Sequence, residues 1–137
     1  MSTDSDRPLA LVVDDEVLFR LGVESLLDEA GYEVVEATNA AAALSHLDGG
    51  RPVVLLLTDV RMPGEHDGLA LARLAADRDP GLAVVVVSAA VTPRPGDLPE
   101  GAAFLEKPFT PGRLAEAVGR ARAARPGSPA ACEVPTR

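Results

Sequence analysis

Lys107 is the only lysine in this chain; the other twelve of its thirteen basic residues are arginine. It lies within Phe104-Leu105-Glu106-Lys107-Pro108-Phe109. An ammonium is a compact point charge on a flexible stem, whereas a guanidinium is a planar fork. A site that sets a small cation against an oxyanion accepts the first and rejects the second. One apolar run ends in Asp14-Asp15 and another in Asp59. Three carboxylates and one ammonium, each at the end of a strand-like segment, point to one phosphate- and metal-handling site. Abundant Ala, Arg, Gly and Pro indicate a GC-rich coding bias, which accounts for few lysines but not for where the remaining one stands.

The elements that must carry these groups follow from hydrophobic patterning. Five apolar runs, at 9–13, 32–37, 53–58, 82–88 and 102–106, alternate with helix-like segments. Val53-Val54-Leu55-Leu56-Leu57 and Val84-Val85-Val86-Val87 are continuous rather than alternating, as parallel strands covered on both faces require. The second run, with Glu33 and Glu36, is more polar and fits a sheet edge. Phe19, Val23, Leu26, Leu27 and Ala30 keep helical spacing and Gly31 is placed to end that helix. Ala40, Ala43, Leu44 and Leu47 follow an N-cap at Asn39. Leu71, Leu74 and Ala75 mark a helix after Gly68. Leu114, Ala117, Val118 and Ala121 mark the last, with Thr110 at the N-cap and Pro111 at the first helical position. Alternation of this kind predicts a doubly wound α/β fold with right-handed crossovers. One crossover breaks the pattern: three prolines and two glycines between Val91 and Gly101 leave the fourth helix short or missing.

Composition excludes several classes. With 137 residues, 47% of them hydrophobic, the chain suits one domain that buries roughly two-thirds of its unfolded surface. The expected division is a flexible start at 1–7, one domain at 8–124 and a disordered Pro/Gly/Ser/Ala tail at 125–137. A net charge of −8 opposes DNA binding, which draws on clustered Lys and Arg. No run approaches the roughly 20 apolar residues that span a bilayer, and the polar start has no signal-peptide core, so no membrane association and a cytoplasmic location are expected. Cys132 is alone, which leaves no internal disulfide.

In an open parallel sheet, ligands bind beyond the carboxyl ends of the strands. Asp14, Asp15, Asp59, Ser88 and Lys107 all fall at or just past such ends, on four separate segments. Crowded carboxylates repel one another unless a cation is present, and hard oxygen donors favour Mg²⁺.

The stretches Val12-Val13-Asp14-Asp15-Glu16, Leu57-Thr58-Asp59-Val60-Arg61-Met62-Pro63-Gly64, Ser88-Ala89 and Lys107-Pro108-Phe109 together resemble the receiver domain of bacterial two-component response regulators, over about residues 9 to 124. The resemblance implies a flavodoxin-like five-stranded sheet in the order 2-1-3-4-5. It implies that Asp59 is the phosphoacceptor, that Asp15, Asp59 and the carbonyl of Arg61 ligate Mg²⁺, and that Asp14 acts on the ion mainly through water. Lys107 would pair with one phosphoryl oxygen and the Ser88 hydroxyl with another, while Phe104 would be the aromatic that changes rotamer with Ser88 on activation. The implied partners are a histidine kinase or histidine phosphotransfer protein as donor, and a downstream protein the sequence does not name.

Departures from the pattern also carry expectations. Gly64-Glu65-His66-Asp67-Gly68 is one residue longer than the usual loop. Arg61 pairs either with the phosphoryl group or with Glu65. His66 reads as a solvated loop side chain before a phosphate contact, and His46 as surface. With no effector domain expected after Arg125, the chain reads as a stand-alone receiver that catalyses only its own phosphorylation and dephosphorylation. Two other readings stay open. A divalent-metal phosphohydrolase with an aspartyl-phosphate intermediate would need an acid two residues past the nucleophile, where Arg61 stands. A degenerate receiver acting as a fixed binding module would have no need of the acidic pair, Asp59 and Lys107.

Overall fold

The structure is a computed structural model and describes residues 7–14, 16–49, 52–60, 68–89, 98–99 and 101–124. The elements are β1 (Leu9–Val13), α1 (Val17–Glu29), β2 (Glu33–Ala37), α2 (Ala40–Leu47), β3 (Val53–Asp59), α3 (Gly68–Arg78), β4 (Ala83–Ser88), β5 (Ala103–Glu106) and α4 (Pro111–Ala123). All strand pairings are parallel and the sheet order is β2-β1-β3-β4-β5. The more polar second run is indeed an edge strand. Among the described residues four helices accompany the five strands, and none between Ser88 and Ala103 is helical. Most of the 91–101 segment lies outside the described residues.

Both faces of the sheet are covered, which explains the continuous apolar runs. Ala10, Val12, Leu55, Leu57, Val85 and Val87 pack against Val23 and Leu27 of α1 and Leu114, Ala117 and Ala121 of α4. Their neighbours Leu9, Leu11, Val13, Leu56, Val84 and Val86 pack against Ala40 and Ala43 of α2 and Leu71, Ala72 and Ala75 of α3. Successive strand side chains point to opposite faces, so β1 and β4 are buried at every position and β3 at all but Val54 and Asp59, which are partly exposed.

Three strands start one residue later than the apolar runs. In each case the preceding turn has already taken the amide. Tyr32 N–H donates to Leu27 O at 3.0 Å and Gly31 N–H to Asp28 O at 3.0 Å, the paired bonds of a Schellman ending with Gly31 at φ 103°. Leu82 N–H donates to Asp79 O and Ala102 N–H to Pro99 O. The predicted caps are formed: Asn39 Oδ1 accepts from Ala42 N–H at 2.8 Å and Thr110 Oγ1 from Arg113 N–H at 3.1 Å.

Candidate functional site

Register brings the candidate residues together. Val13 pairs with Thr58, so Asp14, one residue past β1, comes level with Asp59, the last residue of β3. Asp59 pairs with Val87, and Ser88, the last residue of β4, pairs with Glu106. Lys107 follows directly, its N–H donating to Ser88 O at 2.9 Å.

From that position the Lys107 side chain reaches back across the sheet edge. Its ammonium donates to Asp14 Oδ2 at 3.1 Å and to Asp59 Oδ2 at 3.0 Å, with Glu16 Oε1 3.8 Å away. Asp14 is fully buried and its Oδ1 accepts from Glu16 N–H at 2.8 Å. Burial pushes the Asp14 carboxyl above its ordinary value; the Glu16 amide and Lys107 resist, and the charge of Asp59 adds to the rise. Burial pulls the Lys107 ammonium down, but the hydrogen bonds to Asp59 and Asp14 outweigh it and leave it above its ordinary value. Ser88 is buried beside this edge, and Phe104 is half-buried against the α2–α3 side of the core.

Asp15, Arg61, Glu65 and His66 lie outside the described residues. Among the described residues no three His, Cys, Asp or Glu side chains form a metal-ready group. The described part of the donor set nevertheless fits a small hard cation. Asp14 and Asp59 supply carboxylate oxygens to one point, and with Glu16 nearby a single ammonium leaves that point net negative.

Three contributors escaped sequence reasoning. Phe19 reads there only as a helical core residue, yet the Lys107 ammonium sits 3.8 Å from its ring centroid, a cation–π contact. Phe109 meets the same ring edge-on at 5.6 Å and 87°. The signal available was scarcity: of three phenylalanines in the chain, two converge on its one lysine. Arg20 is the second, a buried guanidinium whose Nη1 donates to Asp14 O at 2.8 Å. Gly68 is the third. A Cβ there would overlap the Asp59 carbonyl oxygen and lie 2.6 Å from its carbon and 2.8 Å from Val60 Cα. These are main-chain atoms that cannot swing aside. Gly68→Ala is therefore expected to cost about 1–3 kcal/mol and to shift the main chain of Asp59, lowering both the melting temperature and any chemistry at that residue. Wild-type melting would show that the β3–α3 junction can part to admit a methyl group.

Compared with known protein families, residues 10–119 match the response regulator receiver domain. This chain belongs to that family. It is 41% identical over 104 residues to the response regulator receiver protein CpdR of Brucella abortus, covering 74% of this chain and 84% of the relative. It is 32% identical over 120 residues to the chemotaxis protein CheY of Thermotoga maritima, covering 80% and 93%. A response regulator receiver protein crystal structure from Sinorhizobium medicae superposes with a TM-score of 0.81 at 31% identity, covering 88% of this chain and 98% of that one. The chain is thus a receiver of the two-component type, a signalling module of a family that typically binds Mg²⁺ at its phosphorylation site. No described helix of this receiver is long and apolar enough to cross a membrane.

A second layer of charge lies behind the receiver's acidic edge. Glu24 Oε2 is buried with no hydrogen-bond partner among the described residues, 3.8 Å from Arg20 Nε. Burial raises the Glu24 carboxyl above 4.5, and the charge of Glu36 raises it further, against Arg20. In the window between 4.5 and the folded value the native state holds more proton than the unfolded chain, so stability falls as pH rises through it. Glu24→Gln is expected to lack this slope and to gain on wild type from acid to neutral pH in paired thermal melts. Parallel melting curves at all pH values would show that Glu24 does not titrate differently on folding.

Proposed function

We propose that this receiver accepts a phosphoryl group on Asp59 from a phosphohistidine donor and signals by a change of packing. The observation that carries the reading is the partly buried Lys107 ammonium held between Asp14 and Asp59. An Asp59 carboxylate oxygen attacks phosphorus; the new O–P bond forms as the P–N bond to the donor histidine breaks. Charge on the equatorial oxygens must be met in line, and Lys107 is already within reach of the attacking carboxylate. Asp14, Asp15, Asp59 and the carbonyl of Arg61 would hold Mg²⁺, which supplies further positive charge for those oxygens. In the product Lys107 transfers to one phosphoryl oxygen and the Ser88 hydroxyl donates to another. The acyl phosphate adds roughly two negative charges at the end of β3. Ser88 follows them, and Phe104 turns into the space vacated.

A histidine kinase or histidine phosphotransfer protein is the proposed donor. Val17, Leu18 and Leu21 support a protein partner, because they expose large apolar side chains on α1 next to Glu16 at the rim of the site. The downstream partner is a further protein that reads the phosphorylated state. Titration with acetyl phosphate or beryllofluoride in MgCl₂ tests the reading. A phosphoacceptor shows a slowly lost aspartyl phosphate and a conformational change. Sustained turnover would identify a phosphohydrolase instead, and no response to either reagent a fixed binding module.

A further inference from the structure

Among the described residues the buried polar or charged side chains are Asp14, Arg20, Thr58 and Ser88. Three of them stand at the carboxyl end of a strand; Arg20 alone comes from a helix. A buried guanidinium is costly unless its donors are satisfied, and those of Arg20 are used in a specific way. Nη1 donates to the main-chain oxygen of Asp14 at 2.8 Å. Nε donates to Glu36 Oε1 on β2, with Glu24 Oε2 3.8 Å away on the next turn of α1. On its other side Asp14 N–H donates to Ala37 O at 3.1 Å. The peptide groups flanking Asp14 are thus gripped from both directions, by the β2 main chain and by a guanidinium itself held between two glutamates.

We infer that Arg20 is a positioning residue for the divalent-cation site. It touches neither the proposed ion nor the phosphoryl group. By holding the Asp14 carbonyl it fixes the backbone torsion that aims the Asp14 carboxylate and leads the chain into Asp15. The inference rests on the reading of the site given above. Its consequence is specific: without Arg20 the site must be organised by the cation, so affinity for the ion falls more than the rate at saturation does. Groups that orient ligands from behind are typically worth about 10- to 100-fold in metal affinity or activity.

The test is MgCl₂ titration of the apo protein followed by amide NMR shifts, with thermal melts in EDTA and acetyl phosphate kinetics at varied MgCl₂. Arg20→Met is expected to weaken Mg²⁺ binding by at least about tenfold and to raise the MgCl₂ needed for half-maximal phosphorylation, with a smaller change at saturating MgCl₂. Glu36→Gln, at a half-exposed side chain, leaves Arg20 less firmly held and is expected to give a milder loss in the same direction; it decides the matter if R20M does not fold. Arg20→Lys, whose ammonium can serve the carbonyl or Glu36 but not both, restores part of the affinity. Val23→Ala, in the core beneath the same helix, lowers the melting temperature without altering Mg²⁺ affinity. A folded R20M or E36Q that binds Mg²⁺ as wild type does overturns the inference. So does V23A if it loses affinity in step with its melting temperature, since any loosening of α1 would then suffice. Wild-type protein that binds no Mg²⁺ and accepts no phosphoryl group removes the reading of the site together with the role of Arg20.

Discussion

Asp59→Asn is expected to abolish phosphorylation from every donor, small molecule or protein, while leaving the fold intact. The carboxylate ends β3 with its side chain only 14% exposed and its Oδ2 3.0 Å from the Lys107 ammonium. An asparagine keeps the size of the side chain and one oxygen able to accept from Lys107. It lacks the anionic oxygen that must form the bond to phosphorus. Stability is expected to change by no more than about 1 kcal/mol, because two effects oppose each other. Lys107 loses one charged partner, and Asp14 loses the neighbouring charge that helps raise its carboxyl. Intact mass and alkaline lability of the product, read beside a thermal melt, provide the check. An acyl phosphate retained on the asparagine variant would assign the acceptor to another residue.

Lys107→Arg keeps the net charge and is nevertheless expected to lower phosphorylation from acetyl phosphate by about a hundredfold, the scale of losing one preorganised charge contact. The ammonium occupies a slot between Asp14, Asp59 and the Phe19 ring, at 3.1, 3.0 and 3.8 Å, with the side chain 13% exposed. A planar fork is wider than this slot. To enter it must push aside Phe19, which is braced edge-on by Phe109; to stay outside it must abandon one carboxylate. In either arrangement it cannot pass from Asp59 to a phosphoryl oxygen by a small swing of one terminal atom. Beryllofluoride-induced shifts in the amide spectrum report the second half of the expectation, loss of the conformational response. A wild-type response in the arginine variant would show that charge alone suffices at this position.

The amino-acid sequence by itself determined the order of elements, the parallel sheet and the strand ends that carry Asp14, Asp59, Ser88 and Lys107. The reason is local. Runs such as Val84-Val85-Val86-Val87 satisfy burial only between two helical layers, and the caps at Asn39, Thr110 and Gly31 use donors and acceptors within a few residues of the chain. Motif spacing likewise made the acidic edge and its lysine legible, because each group is tied to the end of an apolar run. What surrounds them was decided only in three dimensions. Phe19 has ordinary helical spacing, and nothing local shows that its ring meets an ammonium 88 residues further along the chain. Gly68 begins a helix in sequence, but its lack of a Cβ matters because the main chain of Asp59 passes against it. Arg20 looks like any arginine on an amphipathic helix until the sheet order sets β1 beside β2 and brings the Asp14 carbonyl and Glu36 to its two ends. Contacts of this kind depend on strand order and helix approach, which arise from packing the whole core rather than from any segment's own pattern.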